Sequence, residues 1–261
     1  LTRLYLYLFY KIPQTLNMPQ LHDLFIEPTE LFQLKDRNDI EKFEELMDEY
    51  GDTVPLGLVN HFSLLKAYDF ISDREDRNRI IASLVDIKIN TAFLSQDLTS
   101  IGADANQIIS LAKTNILQSH ALDSKDTFIQ RINLHCHISN FVTRYRALWD
   151  KIMGFFILFF LPCEYELFIK AKSRKKKFKQ VALSIAFFPK DYVISLEKLL
   201  ENFDNKYRTA EIHGTGTLRK LTFLNHVHIH NQMIGHWNIL NDHLHLIGSI
   251  FNFPNSINSE S

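Results

Sequence analysis

Glycine and proline are scarce in this chain, at 8 and 7 of 261 residues. Few tight turns can be written with so little of either, which argues against a many-stranded sheet and for long helices. Cysteine is scarcer still. Cys136 and Cys163 form no CxxC pair and are too few for a disulfide scaffold in a chain of this length. Two thiols fit a reducing compartment, so the expected location is cytoplasmic. Net charge is nearly absent, −1 from 29 cationic and 30 acidic residues. No global field then draws the chain to nucleic acid or membrane, and any such affinity must come from a local patch. Long apolar runs are missing too. The longest, IMGFFILFFLP at 152–162, is about half of the ~20 residues a membrane span needs. It reads as the innermost stretch of a buried helix, and no membrane partner is expected. The opening LTRLYLYLFYKIP has the flavour of a signal peptide but lacks a small-residue cleavage site, so no export is expected from it. The motifs GxxxxGK[ST], GxGxxG, HExxH and GxSxG are all absent, which disfavours nucleotide kinases, dehydrogenases, zincins and serine hydrolases of those types.

What the chain does have is helical periodicity in a globular composition, 46% hydrophobic and 23% charged. Residues 1–37, with breakers at Pro19 and Pro28, read as an irregular N-terminal extension, 38–251 as a single helical domain, and 252–261 as a flexible tail. A helix is predicted over 38–50, capped by Asn38 or Asp39 and stopped by Gly51. Others are predicted over 55–71 and 73–98 and, after a break at Gly102, over 103–122. The longest is predicted over 125–160, uninterrupted by proline, which at 1.5 Å per residue gives a spine of ~50 Å. Helices over 191–203, capped by Asp191, and over 217–234 and 236–251 complete the set. VALSIAFF at 181–188 has strand character but no evident strand to pair with. The predicted fold class is therefore all-α, a bundle of seven to nine helices with a long central helix.

The chemistry concentrates in NKYRTAEIHGTGTLRK, 205–220. Metal-free phosphodiester cleavage needs a group of near-neutral pKa to move protons, which His213 can do. It also needs a cation matched to phosphate oxygens, which Arg208 can be. In a regular helix, positions five apart lie ~140° apart around the axis, so the pair works best at an irregular helix entrance. Gly214 and Gly216 offer one, with Thr215 or Thr217 as cap for the next helix. The plainer alternative is a polar junction in which Arg208 pairs with Asp204 or Glu211.

The order arginine, polar residue, three residues, histidine, glycine, late in an all-α chain, resembles the HEPN superfamily. Thr209 takes the polar place, where asparagine is commoner in that family. The likeness would cover about residues 105–251. It implies a HEPN-like helical bundle that forms a homodimer, with arginine and histidine of both protomers lining one cleft and cutting RNA without metal or other cofactor. It further implies a place in toxin–antitoxin pairing or anti-phage defence, with an antitoxin as partner. Carried over by position, Arg208 and His213 are the catalytic pair, and Thr209, Glu211 and Arg219 are supporting residues. Arg131 with His137 and Arg219 with His226 have similar spacing, but no glycine follows either histidine.

Three further features carry chemistry. His226, His228 and His230 are the weaker, metal-binding alternative: on a strand all three would face one way, while on a helix His226 and His230 stack and His228 turns aside. His137, Asn140 and Arg144 share one face of the spine helix, where Asn140 and Arg144 could support the site or bind RNA, or the face could be a buried network that fixes helix register. The run Lys170, Lys172, Arg174, Lys175, Lys176, Lys177 and Lys179 contains no acid and is a candidate RNA-phosphate strip, with Phe178 as its only stacking ring. The readings are a metal-independent ribonuclease, a non-catalytic helical nucleic-acid-binding or dimerisation module, and a metal-dependent enzyme using the C-terminal histidines.

Overall fold

The computed structural model describes residues 34, 36–53, 61–117, 125–185, 189–209 and 216–251. Its elements in order are α1 (Arg37–Thr53), α2 (Leu64–Phe70), α3 (Arg77–Leu117), α4 (Lys125–Phe160), a 3-10 turn (Pro162–Glu164), α5 (Tyr165–Ile169), α6 (Arg174–Ala182), α7 (Lys190–Phe203), a π-type turn (Asp204–Thr209), α8 (Thr217–Leu224) and α9 (His226–Ile250). The described residues contain no strand, and the fold is an all-α bundle. Val181 and Ala182 end α6 rather than open a strand, and 186–188 lie outside the described residues.

The bundle is organised by one antiparallel pair, α3 against α4. Two ion pairs and one carboxylate–imidazole hydrogen bond cross it: Asp86 with Lys151, Asp97 with Arg144 at 2.7 Å, and Asp104 with His137 at 2.7 Å. On α4 the three partners recur every seventh residue, two helical turns, so they fall in one row. At the far end, Arg74 donates from Nη1 to the Phe159 carbonyl at 2.9 Å and lies over the Phe159 ring. It thereby satisfies one of the last-turn carbonyls that α4 cannot bond internally.

α4 supplies four of the largest buried side chains: Phe141, Tyr145, Trp149 and Phe155 are wholly covered, and Tyr145 and Trp149 meet Phe203 of α7 and His236 and His243 of α9. Each aromatic of that size gives about 1.5–3 kcal/mol on burial. Val193, Leu196, Leu200 and Phe203 of α7 and Ile229, Met233, Trp237, Leu240 and Leu244 of α9 close the same core, which runs from Ile40 to Phe251. Of the apolar run 152–162, Ile152–Leu158 is buried throughout, 159–161 are half-buried and Pro162 is exposed. Among the described residues no helix is long and apolar enough to cross a membrane.

Several boundaries differ from expectation. Gly102 breaks nothing: α3 runs 41 residues through it and is longer than α4, at 36. A glycine in mid-helix costs only about 1 kcal/mol, and here it makes room. A Cβ at Gly102 would lie 3.0 Å from Nε2 of His230, so the missing side chain lets α9 approach α3. The last two helices part at Asn225, not before Gly235, which sits inside α9 with open space around it. Asn225 caps α9 by accepting from the His228 N–H at 3.3 Å. Asp36, not Asn38 or Asp39, caps α1, its Oδ1 accepting from both of those backbone amides. Gly51 does not stop α1, which continues to Thr53. Pro189 occupies the cap position of α7, leaving Asp191 in the first turn. Of the helix predicted over 55–71, only Leu64–Phe70 is found, with 54–60 outside the described residues.

Candidate functional site

The sequence after α7 relaxes into the π-type turn Asp204–Thr209, and its anchor is Tyr207. The Tyr207 ring is fully buried, and its hydroxyl donates to Oε1 of Gln232 on α9 at 2.7 Å. Nε2 of His236 lies 3.3 Å from the same hydroxyl, and its ring packs among Tyr145, Phe203 and Tyr207. Burial raises the Tyr207 phenol well above its ordinary range. Burial, reinforced by the charge of Lys206, lowers His236 to about 4, so at neutral pH this imidazole is uncharged. Gln232 in turn meets Nε2 of His228 at the surface.

With Tyr207 fixed inward, Arg208 must point outward, and its side chain is 45% exposed. Asp204 one turn back accepts from its Nη1 at 3.0 Å through Oδ1. Oδ2 of the same carboxylate accepts from Nε of Arg146 on α4 at 3.3 Å, and Arg146 also donates to Asp150. Four alternating charges thus form one chain, Asp150, Arg146, Asp204 and Arg208, with Arg146 its most buried member and Arg208 its most exposed. Thr209 follows, exposed.

On the far side of the segment 210–215, α8 starts at Gly216, whose left-handed backbone (φ 59, ψ 36) favours glycine. Gly216 occupies the cap position and Thr217 is the first residue of the helix. A Cβ there would lie 3.3 Å from Nε and Nη2 of Arg219, so this guanidinium folds back along the backbone that opens α8. Arg208 and Arg219 therefore stand at the two ends of the segment that carries Glu211 and His213. Those two residues, and Thr215, lie outside the described residues.

The remaining candidates are dispersed. Arg144 pairs with Asp97 and lies over Phe93, while Asn140 on the same helix face is exposed. The face they share with His137 is turned to α3, not to the Arg208 turn; the α4 arginine that reaches that turn is Arg146. Burial raises the Asp97 carboxyl, against the opposing pull of Arg144. Of the rival pairs, Arg131 donates to the Phe223 carbonyl at 2.8 Å, His137 bonds Asp104, and burial and the Arg131 charge lower His226. His226, His228 and His230 are helical, with His228 turned to Gln232 and His230 against Gly102. Among the described residues, no group of three or more His, Cys, Asp or Glu side chains could hold a metal ion. In the lysine run, Lys177 pairs with Glu164 at 2.8 Å and Lys179 with Glu197 at 2.7 Å. Phe178 is 2% exposed, so it is core and offers no stacking platform.

Sequence reasoning offered Asp204 or Glu211 as the partner of Arg208, and among the described residues Asp204 is that partner. It missed Arg146, Tyr207, Gln232 and His236, which join that pair only through tertiary packing. No family model, curated protein or solved structure matches the chain.

Proposed function

We propose that this chain is a metal-independent endoribonuclease of HEPN type, with Arg208 holding the scissile phosphate and His213 moving the proton. The observation that supports it is the presentation of Arg208. Its turn is anchored by the buried Tyr207, and among the described residues Asp204 takes a single N–H of the guanidinium. Arginine carries five such donors in a planar fork, so an edge is left that suits two phosphate oxygens. In this reading His213 takes the proton of a ribose 2′-hydroxyl. The oxygen attacks the adjacent phosphorus, the bond to the 5′-oxygen breaks, and the imidazolium returns the proton to that oxygen, giving a 2′,3′-cyclic phosphate. Arg208 offsets the charge that builds on the phosphoryl oxygens. Thr209, Glu211 and Arg219 remain supporting candidates. A two-fold homodimer, an antitoxin partner and a cytoplasmic defence role belong to the same reading.

A second reading is favoured by Asp204 itself. This carboxylate already pairs with both Arg208 and Arg146, as it would in a helical binding or dimerisation module where both arginines are structural. Incubating the purified chain with RNA in EDTA separates the two. The first expects cleavage with cyclic-phosphate ends, and the second expects intact RNA.

A further inference from the structure

The corner between α5 and α6 carries most of the lysine run, and its structure fits a partner other than RNA. Residues 167–176, LFIKAKSRKK, hold five cations and no acid. The corner is pinned at both ends. Phe168 and Phe178 are sunk in the core, and Lys177 and Lys179 are turned to Glu164 and Glu197. Between the pins Lys170, Lys172 and Lys176 are exposed, and Arg174 and Lys175 half-exposed. None of these five pairs with a carboxylate among the described residues. On the same corner two aliphatic side chains protrude, Leu167 at 56% and Ile169 at 39% exposure.

A strip that tracks single-stranded RNA combines cations with flat rings on which bases stack. Here the ring is buried and the exposed apolar groups are aliphatic. Cations beside protruding aliphatic groups instead match a surface of anionic headgroups over an acyl interior. We propose that this corner docks on the surface of a membrane rich in anionic lipid, its cations on the headgroups and Leu167 and Ile169 at the acyl boundary. Such a contact lies on the bilayer and needs no spanning helix. It is also independent of the Arg208 reading: α6 packs on α4, α5 and α7, whereas the turn that bears Arg208 packs on α4, α7 and α8 and is anchored to α9 through Tyr207.

Flotation of the full chain with vesicles tests this. The chain should float with phosphatidylcholine–phosphatidylserine vesicles, and stay behind with phosphatidylcholine alone. Each cation near such a surface contributes about fivefold in affinity, so Lys172→Glu with Lys176→Glu should weaken binding by at least ~25-fold. Leu167→Ser with Ile169→Ser should weaken it by about tenfold. All four side chains are exposed, and circular dichroism should show the helical fold retained in both variants. Absence of flotation overturns the proposal, as does flotation that ignores the loss of both aliphatic groups. Binding of a single-stranded RNA that the lysine variants lose, without any flotation, assigns the corner to nucleic acid.

Discussion

Arg208 is tied to the interior through Asp204, whose Oδ1 accepts its Nη1–H at 3.0 Å while Oδ2 holds Arg146. The two guanidiniums differ in setting. The Arg146 side chain is 10% exposed and Arg208 45%. One carboxylate therefore does two jobs, compensating a desolvated charge and positioning a solvated one. A buried charge left without its partner is costly, whereas an exposed pair contributes little.

That asymmetry predicts unequal effects on stability. Asp204→Ala should destabilise the fold by about 1–3 kcal/mol, because Arg146 keeps only Asp150. Arg208→Ala should cost under about 1 kcal/mol, the ordinary value of an exposed pair. Urea denaturation of the two variants measures both, and equal losses would contradict the arrangement.

The helical class was legible because scarce glycine and proline leave little else to build. The span of α4 was legible to the residue, since from Lys125 onward no glycine precedes Gly154 and no proline precedes Pro162. Where expectation failed, tertiary contact had overruled a local signal. Gly102 is read by its neighbour His230, not by its own propensity, and Asn225 ends α8 although Gly235 is the stronger breaker on paper. The site was half legible. Asp204 was one of two acids the sequence offered Arg208, and the face holding His137, Asn140 and Arg144 could not reveal that aspartates of α3 meet His137 and Arg144. Arg146 sits two residues beyond Arg144 and so turns away from α3 towards Asp204, a choice set by how α7 packs.

Glycine positions give a second prediction. A Cβ at Gly248 would come within 2.1 Å of the His61 carbonyl oxygen, a backbone atom that can move only with its chain. Gly248→Ala should therefore cost about 2 kcal/mol or more, in the range of overpacked core sites. Gly235 has nothing within 4 Å and lies exposed in mid-helix, so Gly235→Ala should stabilise by about 0.5–1 kcal/mol. Thermal denaturation should move in opposite directions for the two.

Acid should unfold the chain earlier than its carboxylates alone require. Burial lowers both His61 and His236 to about 4, with His245 and then Lys88 adding to the effect at His61, and Lys206 at His236. The unfolded chain binds these two protons near the ordinary histidine value of 6.5. Stability from the neutral, buried forms is thus complete above that value and is lost as pH falls towards about 4. Each group contributes a slope of up to ~1.4 kcal/mol per pH unit within that window. His236→Gln, measured by urea denaturation across the window, should flatten the slope by up to ~1.4 kcal/mol per pH unit. An unchanged slope would show that His236 is protonated in the fold.

The proposed chemistry rests on Arg208 and His213. If Arg208 holds the phosphate, Arg208→Ala should abolish RNA cleavage while costing little stability, a separation that a structural arginine would not show. Arg208→Lys should also fail, because a point charge does not replace a bidentate fork. His213→Ala should lower the rate by about 10²–10⁴-fold, the usual loss with a general acid–base group. DNA, lacking the 2′-hydroxyl, should stay uncut, and EDTA should change nothing. His226→Ala and His137→Ala remove the rival histidines and should keep most of the activity. If they silence cleavage and His213→Ala does not, the working pair lies along α4 or α9 instead. If wild type cuts no RNA while the pair Arg208–Asp204 still contributes to folding, the turn after α7 is a structural junction. The bundle is then better read as a binding module.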